Sequence, residues 1–192
     1  QYHTITPPPY NSVNNQQYIS FTPRPEYHFS PDTFLKPGNW GKFVGRAEDV
    51  QEFVEKAFQI MFNQPFPHDI KVSILDEKEF QKLAPSSLAS SHNVFSHSVL
   101  GLSINRRQQE LLSEIFVKHD FLARVMLTLG HELGHVLTPT LPSAHDEEAK
   151  AYAFSLAWMN VIKEHNIADL GKSIVTENPA RNGLHDVAFF FV

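Results

Sequence analysis

His131 and His135 stand four residues apart with Glu132 directly after the first, in the order His131-Glu132-Leu133-Gly134-His135. On a helix that spacing puts two imidazoles one turn apart on one face, with a carboxylate beside them. The chemistry open to such a set is metal-assisted hydrolysis. Two neutral imidazoles bind Zn2+, and a glutamate about a quarter turn away reaches the zinc-bound water rather than the metal. Glu132 is then the general base, taking a proton as the water attacks an amide carbonyl and delivering it to the leaving amine. A purely structural metal site would have no use for Glu132.

A catalytic zinc takes three protein ligands, so a third must be found. An extended metzincin pattern would need Gly at position 138 and His at 141; Thr138 and Leu141 stand there instead, which excludes that class. The remaining source is the acidic run Asp146-Glu147-Glu148. On a helical wheel the bulky apolar face is made by Ala151, Tyr152, Phe154, Trp158, Met159 and Ile162. Glu148 borders that face, Glu147 lies on its other flank, and Asp146 points away. The wheel therefore ranks Glu148 first as third ligand, with Glu147 as the alternative. Acids in a first helical turn are favoured by the helix dipole without any metal, so at least two of the three have that ordinary role.

The elements that must position these groups can be read around them. From Asp120 to the pentad there is no proline until Pro139, which predicts a helix of about four to five turns with Asp120 as N-cap and Thr138-Pro139 as stop. Asp146 to Glu164 reads as a second long helix, after a loop from Leu141 to His145. Upstream, apolar residues at three- and four-residue spacing predict an amphipathic helix over Arg46–Phe62, and alternation predicts a strand over Asp69–Leu75. Asp76 caps a short helix from Glu77 to Leu83. Val99–Ile104 is a further strand, Asn105–Arg107 a turn, and Glu110–Val117 a third strand, with helix as the alternative. The order gives an α+β fold: a small mixed sheet packed beside an active-site helix and a following glutamate helix.

The pentad, followed within about 15 residues by Glu-Glu-Ala and an Ala- and aromatic-rich helix, resembles the gluzincin metallopeptidases, most closely the small minigluzincins. A wider similarity extends to membrane CaaX-prenyl-protease and ImmA/IrrE-like peptidases. It covers residues 120 to about 160. What it implies is a zincin-like fold, a zinc-dependent endopeptidase, and a role for the strand at Val99–Ile104 as an edge that binds substrate in extended form. It also implies a zymogen-like, latent protein. In the prenyl-protease pattern the ligand is a Glu three residues before the Ala, followed four later by Asp; here those places hold Asp146 and Lys150, so alignment nominates Asp146 where the wheel nominates Glu148.

Residues 1–39 are rich in Pro, Asn, Gln and Ser and lack any period, which predicts an extended arm; residues 40–192 form the metallopeptidase domain. The arm's aromatics, Tyr10, Tyr18, Phe21, Tyr27, Phe29 and Phe34, are more than a disordered tail needs, which points to an arm lying along the domain surface or linking to something upstream, with a flexible tail as the equal alternative. The first residue is Gln1 rather than Met, which points to a trimmed or processed start. At the other end Asn182–Val192 is apolar and strand-prone, a final strand or a tail lying in the active-site cleft with His185 or Asp186 near the metal. Self-association through that tail is a further use.

Smaller roles attach to Tyr152, a holder of a histidine ligand or an oxyanion donor, and to His92 and His97 ahead of the edge strand. His145 is read as a helix-start residue. With no cysteine, disulfides, thiolate sites and a Cys nucleophile are excluded, and a metal must take N and O ligands. A net charge of -5 without a basic cluster argues against nucleic acid, and no apolar run is long enough to span a membrane. The compartment stays open, with the cytoplasm as the default. Three readings follow: a zinc peptidase acting on peptide or protein substrates, a catalytically silent zincin scaffold with a regulatory or protein-binding role, and a helical module with a fortuitous pentad. Metal content separates the last from the others.

Overall fold

Three-and-four spacing of Val54, Ala57 and Phe58 gives one buried stripe and makes Gln51–Phe62 the first helix, α1. It ends where Asn63 turns left-handed (φ 52°), and its start is preceded by a 3-10 turn at Ala47–Asp49 rather than by helix from Arg46. The computed structural model describes residues 29–38, 40–83 and 99–176, and the elements below lie within them. The short strand β1, Phe43–Val44, precedes α1. β2 (Ile70–Leu75) follows it, and Asp76 caps α2 (Glu77–Gln81) as expected, its carboxylate accepting from the Glu79 N–H at 2.8 Å. β3 is Gly101–Ile104, β4 Ser113–Lys118 and β5 Asp120–Phe121. The strand predicted from Glu110 starts later because Glu110 is left-handed (φ 56°) at the end of a 3-10 turn.

The three-stranded sheet has the order β2-β4-β3, with β4 central, parallel to β2 and antiparallel to β3. β3 is therefore an edge among the described residues. β1 and β5 form a separate antiparallel pair. That pair explains a difference from the expected cap: Asp120 is drawn into β5 opposite Val44, and its carboxylate accepts from the Phe121 N–H and from Arg124. Helix α3 accordingly runs Leu122–Val136 with Phe121 as N-cap.

α3 is buried on almost every side, between the sheet and α4 (Ala144–Glu164). α4 begins two residues before Asp146 because Ser143 serves as N-cap, its hydroxyl accepting from the Asp146 N–H. The two helices approach closely where α3 has glycine. A Cβ on Gly134 would lie 2.6 Å from Ala151 Cα, and one on Gly130 would run into the Trp158 ring. The indole then donates its N–H to the Met126 carbonyl at 3.0 Å, tying α4 to α3. The result is a mixed α+β fold with α3 at its centre.

Residues 29–38 pack onto this core. Phe34 is 1 % exposed, and Leu35 forms a bridge with Ile174 near the other end of the described chain. His92 and His97, the aromatics of the arm before Phe29, and the apolar run with His185 and Asp186 lie outside the described residues.

Candidate metal centre

α3 carries His131 and His135 on successive turns of the face toward α4, and α4 carries Glu148 in its first turns. The three side chains meet. Glu148 Oε2 lies 3.5 Å from His131 Nε2, and Glu148 Oε1 lies 3.8 Å from His135 Nε2. The imidazoles are edge to face, 4.9 Å between centroids. One ligand atom from each falls within 4.8 Å of the others, so this group could hold a metal ion. Tetrahedral ligation with bonds of about 2.0–2.1 Å sets neighbouring donor atoms roughly 3.4 Å apart. The two nitrogen–oxygen spacings, one to each Glu148 oxygen, are only slightly wider, and the donor set is the N and O chemistry that a chain without cysteine must use.

Each imidazole is held by its other nitrogen. His135 Nδ1 lies 2.9 Å from Glu147 Oε1, and since an ionised carboxylate can only accept there, Nδ1 carries a hydrogen, and in the neutral ring Nε2 keeps its lone pair toward Glu148. Glu147 is 1 % exposed; its second oxygen accepts from the Leu141 N–H (2.8 Å) and from Lys150 Nζ (2.9 Å). Burial opposes ionisation of Glu147, but the hydrogen bonds from His135, Leu141 and Lys150 outweigh it and hold its carboxyl below the usual range. Burial likewise pulls His135 down, and the bond to Glu147 with the charges of Glu132 and Glu148 more than reverses this, leaving it above the ordinary histidine value.

His131 Nδ1 lies 3.3 Å from Ser155 Oγ. That hydroxyl donates its own hydrogen to the Ala151 carbonyl at 2.8 Å, so toward His131 it is an acceptor, and again Nε2 is left free for an ion. Glu132 is 6 % exposed and lies against the edge strand: a Cβ on Gly101 would come within 2.6 Å of Glu132 Oε1. Only a residue without a side chain lets β3 pass this close. Asn105, just after β3, donates from Nδ2 to the carbonyls of His135 and Thr138 at 2.7 Å each, fastening the edge strand to the end of α3.

Of the residues singled out in the sequence, the structure brings together His131, Glu132, His135, Glu147 and Glu148. Glu147, the alternative ligand, is turned to His135 Nδ1 rather than into the cluster. Asp146 is exposed on the first turn of α4, and His145 lies in the same turn and outside the cluster. Tyr152 is buried against Phe29 and Phe34, and burial pushes its phenol pKa up. Ser155 and Asn105 went unmarked in the sequence, although Ser155 follows Glu148 by seven residues, which makes it a polar residue on an otherwise apolar face. No helix among the described residues is long and apolar enough to cross a membrane. Neither the family models, nor the curated proteins, nor the solved structures compared with this chain yield a match.

Proposed function

We propose that this chain is a zinc-dependent metalloendopeptidase of zincin-like fold, gluzincin-like in taking its third ligand from the helix after the pentad. The observation that carries the reading is the convergence of His131, His135 and Glu148 beside Glu132, a buried carboxylate that is not part of the donor set. Zn2+ bound by the three would supply Lewis acidity, acidifying water and polarising a peptide carbonyl. Glu132 accepts the proton of the attacking water and returns it to the leaving amine. Glu147 and Ser155 keep both imidazoles in the tautomer that presents Nε2. Among the described residues β3 is an edge strand running past Glu132, which suits an extended peptide substrate whose backbone would pair with it.

The experiment is metal analysis together with proteolysis of casein or a quenched peptide. The wild-type chain should contain or take up one Zn2+ and cleave substrate, chelation should stop cleavage, and Glu132→Ala should lose cleavage while keeping the metal. Cleavage that survives Glu132→Ala would overturn the mechanism. The deep burial of His131 and Glu132 favours a second reading, a silent metal-binding scaffold, which predicts metal uptake with no cleavage by any variant. Latency through residues 182–192 belongs to the first reading. Truncation after Asn182 should then raise activity, and unchanged activity removes that part of it.

A further inference from the structure

The two imidazoles of the metal centre are not held alike. His135 is fixed by a 2.9 Å bond to a buried carboxylate, whereas His131 has a hydroxyl at 3.3 Å, a longer and weaker restraint. On His131 the missing restraint comes from the N-terminal segment. The Phe29 ring lies parallel to the imidazole, 4.5 Å between centroids and 6° between planes. Phe29 is itself 9 % exposed, stacked on Phe34 and edge-on to Tyr152.

The segment behind Phe29 is anchored independently of the site. Both Asp32 oxygens accept from Arg124, at 2.8 Å from Nε and 2.7 Å from Nη2. The Arg124 guanidinium lies 4.7 Å from the centre of the Trp40 ring, whose indole N–H reaches the Lys36 carbonyl. Lys36 N–H donates to Ser173 O and Val175 N–H to Phe34 O, both at 2.9 Å. Phe29 is thus presented from a fixed base, not from a hanging tail.

Direction decides between a wall and a plug. A metal bond leaves an imidazole in the plane of the ring, along the lone pair of Nε2, while a parallel stack lies above that plane. Phe29 therefore covers a face of His131 without standing on its metal-binding line, and it resists the ring rotation that would swing Nε2 away from Glu148. We propose that Phe29 is a positioning residue of the metal centre, fixing the ring plane of His131, and that residues 29–38 are by that contact a built-in wall of the site. This rests on the metal-centre reading above.

The test is Zn2+ affinity by competition with a chromophoric chelator, with the visible spectrum of the Co2+ form as a report on ligand geometry, in the full chain. Phe29→Leu keeps apolar bulk but removes the flat face; Phe29→Tyr restores the face. Phe29→Leu should weaken Zn2+ binding about tenfold and alter the Co2+ bands, with the metal-free melting temperature nearly unchanged, and Phe29→Tyr should behave as wild type. Equal affinity and identical Co2+ bands in Phe29→Leu overturn the proposal while leaving the metal centre intact. So does a loss in which Leu and Tyr variants fall together with melting temperature, which marks a merely structural role. Higher proteolysis in Phe29→Ala also overturns it, because Phe29 would then be a plug. A wild-type chain that takes up no Zn2+ overturns the reading beneath it.

Discussion

Glu147 and Glu148 are neighbours in sequence with different tasks, because successive residues of a helix point about 100° apart. Glu148 faces both Nε2 atoms, and Glu147 faces the back of His135. Glu147 uses both oxygens as acceptors, one for the imidazole and one shared by Leu141 and Lys150. Glu147→Gln puts an amide NH2 against donors on one side or the other, so one of these contacts is lost and His135 is freer to turn. We expect Zn2+ affinity to fall by about 10–100-fold, measured by chelator competition, while Asp146→Asn on the exposed side stays at the wild-type value. Equal loss in both would show that charge near the helix start, not the contact to His135, sets affinity. The helical wheel ranks Glu148 first because the ligand must border the buried face. It could not reveal what Glu147 touches, since that depends on the path of the loop from Leu137 to Ser143, and the contact of Phe29 with His131 spans 102 positions with no local pattern to announce it.

Elements form where local preference and tertiary contact agree, and α1, β2 and the Asp76 cap were legible for that reason. The start of α3 was not, since Asp120 is a good cap in isolation but is recruited by β1 into a strand pair and bonded to Arg124. The same competition sets the glycines of α3. Alanine at position 134 would gain about 1 kcal/mol of helix propensity. Its Cβ, however, would meet the backbone of Ala151, at 2.6 Å from Cα and 2.9 Å from O, and backbone cannot rotate aside. Gly134→Ala should therefore destabilise by about 1–3 kcal/mol in urea unfolding, and a stabilised variant would show the helices free to separate. Gly101→Ala is a different case, because its Cβ meets side chains rather than backbone, Glu132 at 2.6 Å from Oε1 and 2.8 Å from Cγ and Thr128 at 2.7 Å from Cγ2, so that Glu132 must shift. There kcat should fall with Zn2+ affinity unchanged, which stopped-time peptide assays beside metal titration would read.

Across the whole molecule, the group that could hold a metal ion links α3 to α4, and Phe29 adds the N-terminal segment to the same point. An ion held there would bind the folded chain and not the unfolded one, in which the three donors are not brought together. Its binding free energy is then added to stability: at free Zn2+ of 100 times Kd the gain is about 2.7 kcal/mol. The melting temperature should rise with Zn2+ and fall back on chelation. Glu148→Ala, which deletes the donor from α4, should flatten that dependence, whereas Glu132→Ala should keep it in full because the base is not a ligand. The pair of variants separates metal binding from catalysis without any substrate. A melting temperature that ignores Zn2+ in the wild-type chain would mean that the close approach of His131, His135 and Glu148 is stabilised by the packing of α3 on α4 alone, through Gly130, Gly134 and the Trp158 bond to Met126.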